Sequence, residues 1–121
     1  MKYELLKSKI HRATVTGKDI NYEGSITISK DICEKAHLCE FEKVDVYNIT
    51  NGERFTTYVI YGEKGVIELN GAAARCGEVG DKLIIVSYAL FDEEEVKLHK
   101  PWVVLLNEYN EIKEVRNAGS D

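Results

Sequence analysis

Proline occurs once in this sequence, at Pro101, and no long apolar run occurs in it. Without ~18 consecutive apolar residues, no membrane-spanning helix is expected. Without Pro-, Gly- or Ser-rich tracts, no linker or low-complexity segment divides the chain. Cysteine is scarce too: Cys33, Cys39 and Cys76 are odd in number, and none forms a C-x-x-C. That spacing suits neither a zinc site nor a disulfide framework and points to reduced thiols in a cytoplasmic protein. His11, His37 and His99 lack metal-ligand spacing, and Glu95 and His99 read as a solvated pair on a helix, so no metal is expected. A basic stripe is also missing. The 16 basic residues are outnumbered by 21 acidic ones, for a net charge of -5. This argues against a nucleic-acid partner and leaves any local basic pair aimed at a small anion. The stretch MKYELLKSKIHR has no apolar core and does not read as a secretory leader.

What is present is period-two alternation. The 121 residues are 44% hydrophobic and 31% charged, enough apolar material for one domain that folds without staples. KIHRATVTG reads as a strand leading to a turn, and SITIS places Ile26 and Ile28 on one face. SKDICEKAHL reads as a short helix, with Ser29 as N-cap and Asp31 near the positive end of its dipole. KVDVYNIT alternates Val44, Val46 and Asn48 against Asp45, Tyr47 and Ile49, and Asn51-Gly52 signals a hairpin into RFTTYVIYG. GVIELN is another strand, NGAAARCG a turn into one helical turn, and DKLIIVSYAL a strand apolar on both faces. DEEEVKLH is an acidic helix stopped by Pro101, and WVVLLNEYNEIKEV a hairpin around Glu108 to Asn110. The tail RNAGSD, 116–121, is expected to be disordered. About six or seven short strands in one domain, 1–115, predict a mostly β barrel or sandwich, between which periodicity does not choose.

Four stretches carry candidate chemistry. KIHR places Lys9 and His11 on one strand face, and GERFTTY places Arg54, Thr56 and Tyr58 opposite Phe55 and Thr57. NGAAA offers small side chains and exposed amides. EGS sets the hydroxyl of Ser25 directly after Gly24. Singly, each has a plain reading: surface charges, β-formers, close-packed alanines, a Gly-Ser turn at a strand start. No G-x-S-x-G elbow surrounds Ser25, and no motif supports a Ser-His-Asp triad through His11.

Together, KIHRATVT, NYEGSITI, NITNGERFTTY and NGAAA, in this order and at these separations, resemble the pyruvoyl-dependent aspartate decarboxylase family over roughly residues 1–105. The resemblance implies a six-stranded double-psi β-barrel with short helices, assembled as a homotetramer with sites between neighbouring subunits. It implies self-cleavage at Gly24-Ser25 into chains 1–24 and 25–121, leaving a pyruvoyl group made from Ser25. The substrate would be L-aspartate and the product β-alanine, for pantothenate and coenzyme A. Decarboxylation leaves a carbanion that no ordinary side chain can accept, so a ketone on the chain would take the place of a cofactor ring.

The resemblance also assigns roles. Ser25 attacks the Gly24 carbonyl, and Thr57 stabilises the oxyanion of that shift. Gly24 is expected to hold a strained backbone that opens its carbonyl. Tyr58 returns a proton to the carbanion; a phenol, with an ordinary pKa of ~10, carries one at neutral pH. Lys9 and Arg54 match the carboxylate-binding cations, one as a point charge and the other as a bidentate grip. His11 would line the site, while Asn70, Gly71, Ala72 and Ala73 shape the pocket. The departures are that Tyr47 stands where some members carry tryptophan, Ser8 where glycine is usual, and the loop Gly62 to Gly65 is short. None removes a chemical group. Whether a maturation partner takes part is left open. Two other readings remain: an unprocessed barrel that binds a small anion or regulates through it, and a serine hydrolase with Ser25 intact.

Overall fold

Alternating apolar residues build strands throughout the described residues, 1–117, of this computed structural model. The elements are β1 (Tyr3–Thr14), β2 (Gly17–Asp19), β3 (Ser25–Ser29), α1 (Lys30–Ala36), β4 (Lys43–Asn48), β5 (Arg54–Gly62) and β6 (Ile67–Asn70). A 3-10 turn (Gly71–Cys76), β7 (Lys82–Phe91), α2 (Glu93–Leu98), β8 (Trp102–Leu106) and β9 (Ile112–Asn117) follow. The strands form one sheet in the order β2-β6-β3-β5-β4-β7-β1-β8-β9. Three pairings are parallel, β1 with β8, β2 with β6 and β3 with β5; the others are antiparallel. This is the mostly β class expected, and it is consistent with a double-psi barrel. The nine-stranded sheet does not close on itself. It exceeds six strands because three-residue β2 is too short to alternate visibly, and because the β8–β9 hairpin adds to the edge of β1.

The inner face carries Ile10, Ile26, Ile28, Val44, Val46, Val59, Ile67, Leu69, Leu83 and Ile85, all nearly or fully buried. Each such side chain contributes about 1.5–3 kcal/mol. Helix α1 covers this core with Ile32, Cys33 and Ala36. Burial pushes the Cys33 thiol up to about 12, so it behaves as a small apolar group. Glu42 ties β1 and β7 to the loop before β4. It accepts from Lys7 Nζ at 2.6 Å, from Ser87 Oγ and from the Cys39 N–H at 3.0 Å. Burial pushes its carboxyl up, but these donors outweigh that and hold it below the usual range.

Several expectations need correction. Ser29 stands at the N-cap position of α1, but its hydroxyl makes no cap bond. It bonds the Asp31 carboxylate and accepts from the Gly65 N–H at 3.1 Å. Strand β7 is not apolar-covered on both faces, since Tyr88 and Leu90 are exposed on its outer side. Glu95 and His99 do not pair. Glu95 completes a capping box with Asp92, and His99 Nε2 donates to the Leu6 carbonyl at 2.6 Å. Arg116 and Asn117, expected in the tail, are strand; the rest of that tail, 118–121, lies outside the described residues.

The β8–β9 turn is held by Asn110, which is 3% exposed and has φ 60. Its Nδ2 donates to the Thr14 and Gly65 carbonyls, both at 2.9 Å, and its Oδ1 accepts from the Thr14 N–H at 2.8 Å. Asn110→Ala would orphan these groups and place alanine in the left-handed region. A loss of about 2–4 kcal/mol is expected, read as a lower urea midpoint with an unchanged m-value.

Candidate active site

Ser25 opens β3, where the loop from Ile20 to Gly24 enters the sheet. It is fully buried. Register explains its partner: Ser25 lies opposite Asn70 on β6, and the Asn70 Nδ2 donates to Ser25 Oγ at 3.0 Å. The other hydrogen of that nitrogen goes to Thr27 Oγ1 at 2.9 Å. On the other side, β3 runs parallel to β5 with Ile26 opposite Val59, which brings the segment Thr57-Tyr58 alongside the Gly24-Ser25 junction.

Gly71 sits directly against this junction. It has φ +62, and a Cβ there would lie 2.6 Å from Gly24 Cα, 2.7 Å from Gly24 N and 2.8 Å from the Tyr22 carbonyl oxygen. Gly24 is outside the left-handed region, and a Cβ on it would meet nothing within 4 Å. The left-handed backbone at this junction is that of Gly71 rather than Gly24.

A cavity of about 350 Å³ adjoins the junction, lined by Gly24, by Phe55 to Tyr58 of β5, and by Ala72, Ala73 and Cys76 of the 3-10 turn. Five of the expected residues thus meet here: Gly24, Thr57, Tyr58, Ala72 and Ala73, with Ser25, Asn70 and Gly71 directly behind. Strand β5 alternates as expected, with Phe55, Thr57 and Val59 toward the core and Arg54, Thr56 and Tyr58 outward. The Cys76 thiol is pushed up by burial, then by the charge of Glu53, so it is a poor rival nucleophile. The Tyr58 ring centroid lies 6.4 Å from that of Phe41, a residue with φ 72 that is 69% exposed.

Lys9, His11 and Arg54 do not line this cavity. Lys9 and His11 share a face of β1 as expected, and the register sets two rows across the sheet. One runs Lys9, Val86, Asp45, Thr56; the other runs His11, Ile84, Tyr47, Arg54. Lys9 and Arg54 are therefore three inter-strand spacings apart, about 14 Å along the sheet. The Arg54 guanidinium rests 4.2 Å from the Tyr47 ring centroid, so the residue that departs from the family's tryptophan is the surface on which Arg54 lies. Tyr47 and Tyr88 share a hydrogen bond at 3.2 Å, which, with burial, pushes the Tyr88 phenol up to about 12. His11 is lowered by burial, then by Lys9, Arg12 and Arg116, and is a neutral imidazole at neutral pH. Its Nδ1 is buried without a partner among the described residues. Ser25 has a carboxamide as its partner rather than an imidazole, so the geometry offers no hydrolase triad.

Sequence reasoning missed Thr27, Phe41, Phe55 and Cys76 as neighbours of the site. Thr27 was findable, since it stands two residues after Ser25 on a strand. Phe41 was not, because nothing in an aromatic residue signals positive φ.

Fold and site together define a small mostly β protein built around a buried serine that lacks a catalytic imidazole. A family profile described as aspartate decarboxylase matches residues 1–113. The aspartate 1-decarboxylase of Clostridium kluyveri is 56% identical over 117 residues, covering 95% of this chain and 92% of that protein. That of Desulfotalea psychrophila is 53% identical, covering 95% and 98%, and that of Ralstonia pickettii 52% identical, covering 98% and 100%. The chain belongs to the aspartate decarboxylase family.

Gly71→Ala should force the Gly24 backbone away and place alanine at a left-handed φ. It is expected to cost about 1–3 kcal/mol and to lower the thermal midpoint. Gly24→Ala, with open space around its Cβ, should leave the midpoint within about a degree or two. Equal losses from both would contradict the packing described.

Proposed function

We propose that this chain decarboxylates L-aspartate to β-alanine and CO2, using a pyruvoyl group that it makes from its own Ser25. The observation that carries this reading is the Gly24-Ser25 junction: the Ser25 hydroxyl is held by Asn70 at 3.0 Å beside a cavity that Thr57 and Tyr58 share. The hydroxyl attacks the Gly24 carbonyl, and the acyl group moves from nitrogen to oxygen. Thr57, on the same cavity as Gly24, donates to the oxyanion of that shift. Water takes the residue-25 α-proton, the electron pair left on that carbon expels Oγ from Cβ, and Gly24 leaves as a carboxylate. Water replaces the nitrogen, ammonia leaves, and chains 1–24 and 25–121 result.

The residues present fit a small planar group at position 25. Asn70 brings an N–H donor to that point, and the missing Cβ of Gly71 leaves the backbone room. The pyruvoyl ketone supplies the electron sink for decarboxylation. Around it, Tyr58 delivers a proton to the carbon that loses CO2, and the small side chains of Ala72 and Ala73 admit the substrate. Lys9 and Arg54 hold the two carboxylates. Their backbones stand about 14 Å apart across the sheet, a gap that two long side chains and one aspartate can bridge between them. The homotetramer with sites between subunits that the family resemblance implies belongs to this reading. Reduced cysteines and a biosynthetic role in pantothenate supply fit the cytoplasm.

Intact mass spectrometry tests the reading. Two fragments are expected, the larger lighter by one ammonia than a serine-started 25–121 chain; Ser25→Ala should stay full-length, folded and inactive. Cleavage in that variant would remove the Ser25 chemistry. Tyr58→Phe should still process but lose roughly 10²–10⁴-fold in turnover, the usual size of a lost proton donor. Near-normal β-alanine formation would reassign that proton.

A further inference from the structure

The Asn70 side chain has two nitrogen-bound hydrogens and uses both. One goes to Ser25 Oγ at 3.0 Å and the other to Thr27 Oγ1 at 2.9 Å. Ser25 and Thr27 stand two residues apart on β3 and so share a face, with Asn70 bridging them from β6. Thr27 is itself confined. It lies two residues from Ser29, whose β5 partner is Gly62, and a Cβ on Gly62 would lie 2.5 Å from Thr27 Cγ2. The bare glycine is thus the space that the Thr27 methyl occupies. Thr27 and Asn70 also form part of the wall of a second, outer cavity, with Lys18, Asp19, Tyr22 and Glu68. Nothing on that side but the Thr27 hydroxyl is bonded to the carboxamide nitrogen.

A free carboxamide turns about its last bond, and its oxygen and nitrogen can exchange places. While residue 25 is a serine, either end of Asn70 can serve its hydroxyl. Once Oγ has become an ester oxygen it carries no hydrogen, and only the nitrogen end can bond it. In the elimination that follows, the Cβ–Oγ bond breaks and negative charge gathers on the departing Gly24 carboxylate, of which Oγ is part. An N–H already fixed on Oγ stabilises that charge without reorganisation.

We propose that Thr27 is a positioning residue for maturation: by accepting the second hydrogen of Asn70, it anchors the carboxamide against β3 so that the first stays within reach of Ser25 Oγ through the elimination step. Gly62 keeps Thr27 in the rotamer that does so. This rests on the self-cleavage reading above, and it assigns Thr27 to a step rather than to the fold.

The test follows chain cleavage of the purified full-length protein over time by intact mass, with hydroxylamine as the probe for ester. Thr27→Val keeps the shape and removes the hydroxyl, and should slow cleavage about tenfold, the size of one lost hydrogen bond to developing charge. Hydroxylamine should then release from it a 25–121 chain with an intact N-terminal serine, one ammonia heavier than the mature chain. Thr27→Ser keeps the hydroxyl and should process at the parent rate. Gly62→Ala should slow cleavage by crowding Cγ2, and Gly62→Ala with Thr27→Ser, which lacks Cγ2, should recover it. Far-ultraviolet circular dichroism and the thermal midpoint report folding separately. Parent-like cleavage in folded Thr27→Val, or slow cleavage without hydroxylamine-sensitive ester, overturns the role of Thr27 and leaves the self-cleavage reading standing. A parent chain that never cleaves overturns that reading, and the inference with it.

Discussion

The site depends on one missing atom, the Cβ of Gly71. The loop carrying Tyr22 and Gly24 lies so close to Gly71 that any side chain there would enter the space of three backbone atoms. The same residue begins the 3-10 turn, at a positive φ that glycine alone adopts freely. Asn70, the last residue of β6, immediately precedes it. One change of backbone direction therefore places the carboxamide on Ser25 and seats the preceding loop. The conformation that delivers the donor also makes room for the bond it serves, so the two cannot be adjusted independently.

The sheet then separates two kinds of chemistry. Strands β6, β3 and β5 gather neutral hydrogen-bonding groups: Asn70, Ser25, Thr27 and Thr57. The outer face from β1 to β5 gathers the cations, Lys9 in one row and Arg54 in the next, with β7 and β4 between. Strand β5 belongs to both regions, because alternation sends Thr57 to one face and Arg54 and Tyr58 to the other. Distances within a sheet are quantised by strand spacing, and Lys9 is not among the residues that line the cavity beside Gly24.

Much of this was legible in the sequence, because alternation was. Val44, Val46 and Asn48 against Tyr47 placed β4, Asn51-Gly52 placed the hairpin, and the opposite faces of Thr57 and Tyr58 followed from period two. Short or irregular pieces were not legible. Strand β2 has three residues, too few for a pattern. Ser29 looks like a cap, yet its hydroxyl prefers Asp31 and Gly65, a choice made by tertiary contacts. At the site, the left-handed φ and the close approach fall at Gly71, which the sequence marked only as part of NGAAA. Residue type says that a left-handed φ is tolerated, and only packing says where it is used. The distance between Lys9 and Arg54 was likewise invisible, because it depends on strand order rather than on strand content.

The surroundings of Ser25 also bear on what kind of nucleophile it is. A serine that must turn over many substrates is paired with a base that takes its proton each time. Here the partner is an amide, the Cys76 thiol on the adjoining cavity is pushed up by burial, and His11, its imidazole pushed down by burial, sits on another strand. Among the described residues the hydroxyl of Ser25 meets a donor and not a base, which would be a poor design for repeated acyl transfer. For a reaction performed once in the life of the chain there is no turnover demand. Fixed neutral donors suffice, since they stabilise charge where it appears without a competing ionised group that would hold water in the core. A carboxamide rather than an imidazole on a buried serine therefore argues against a serine that acts repeatedly on substrates from solution.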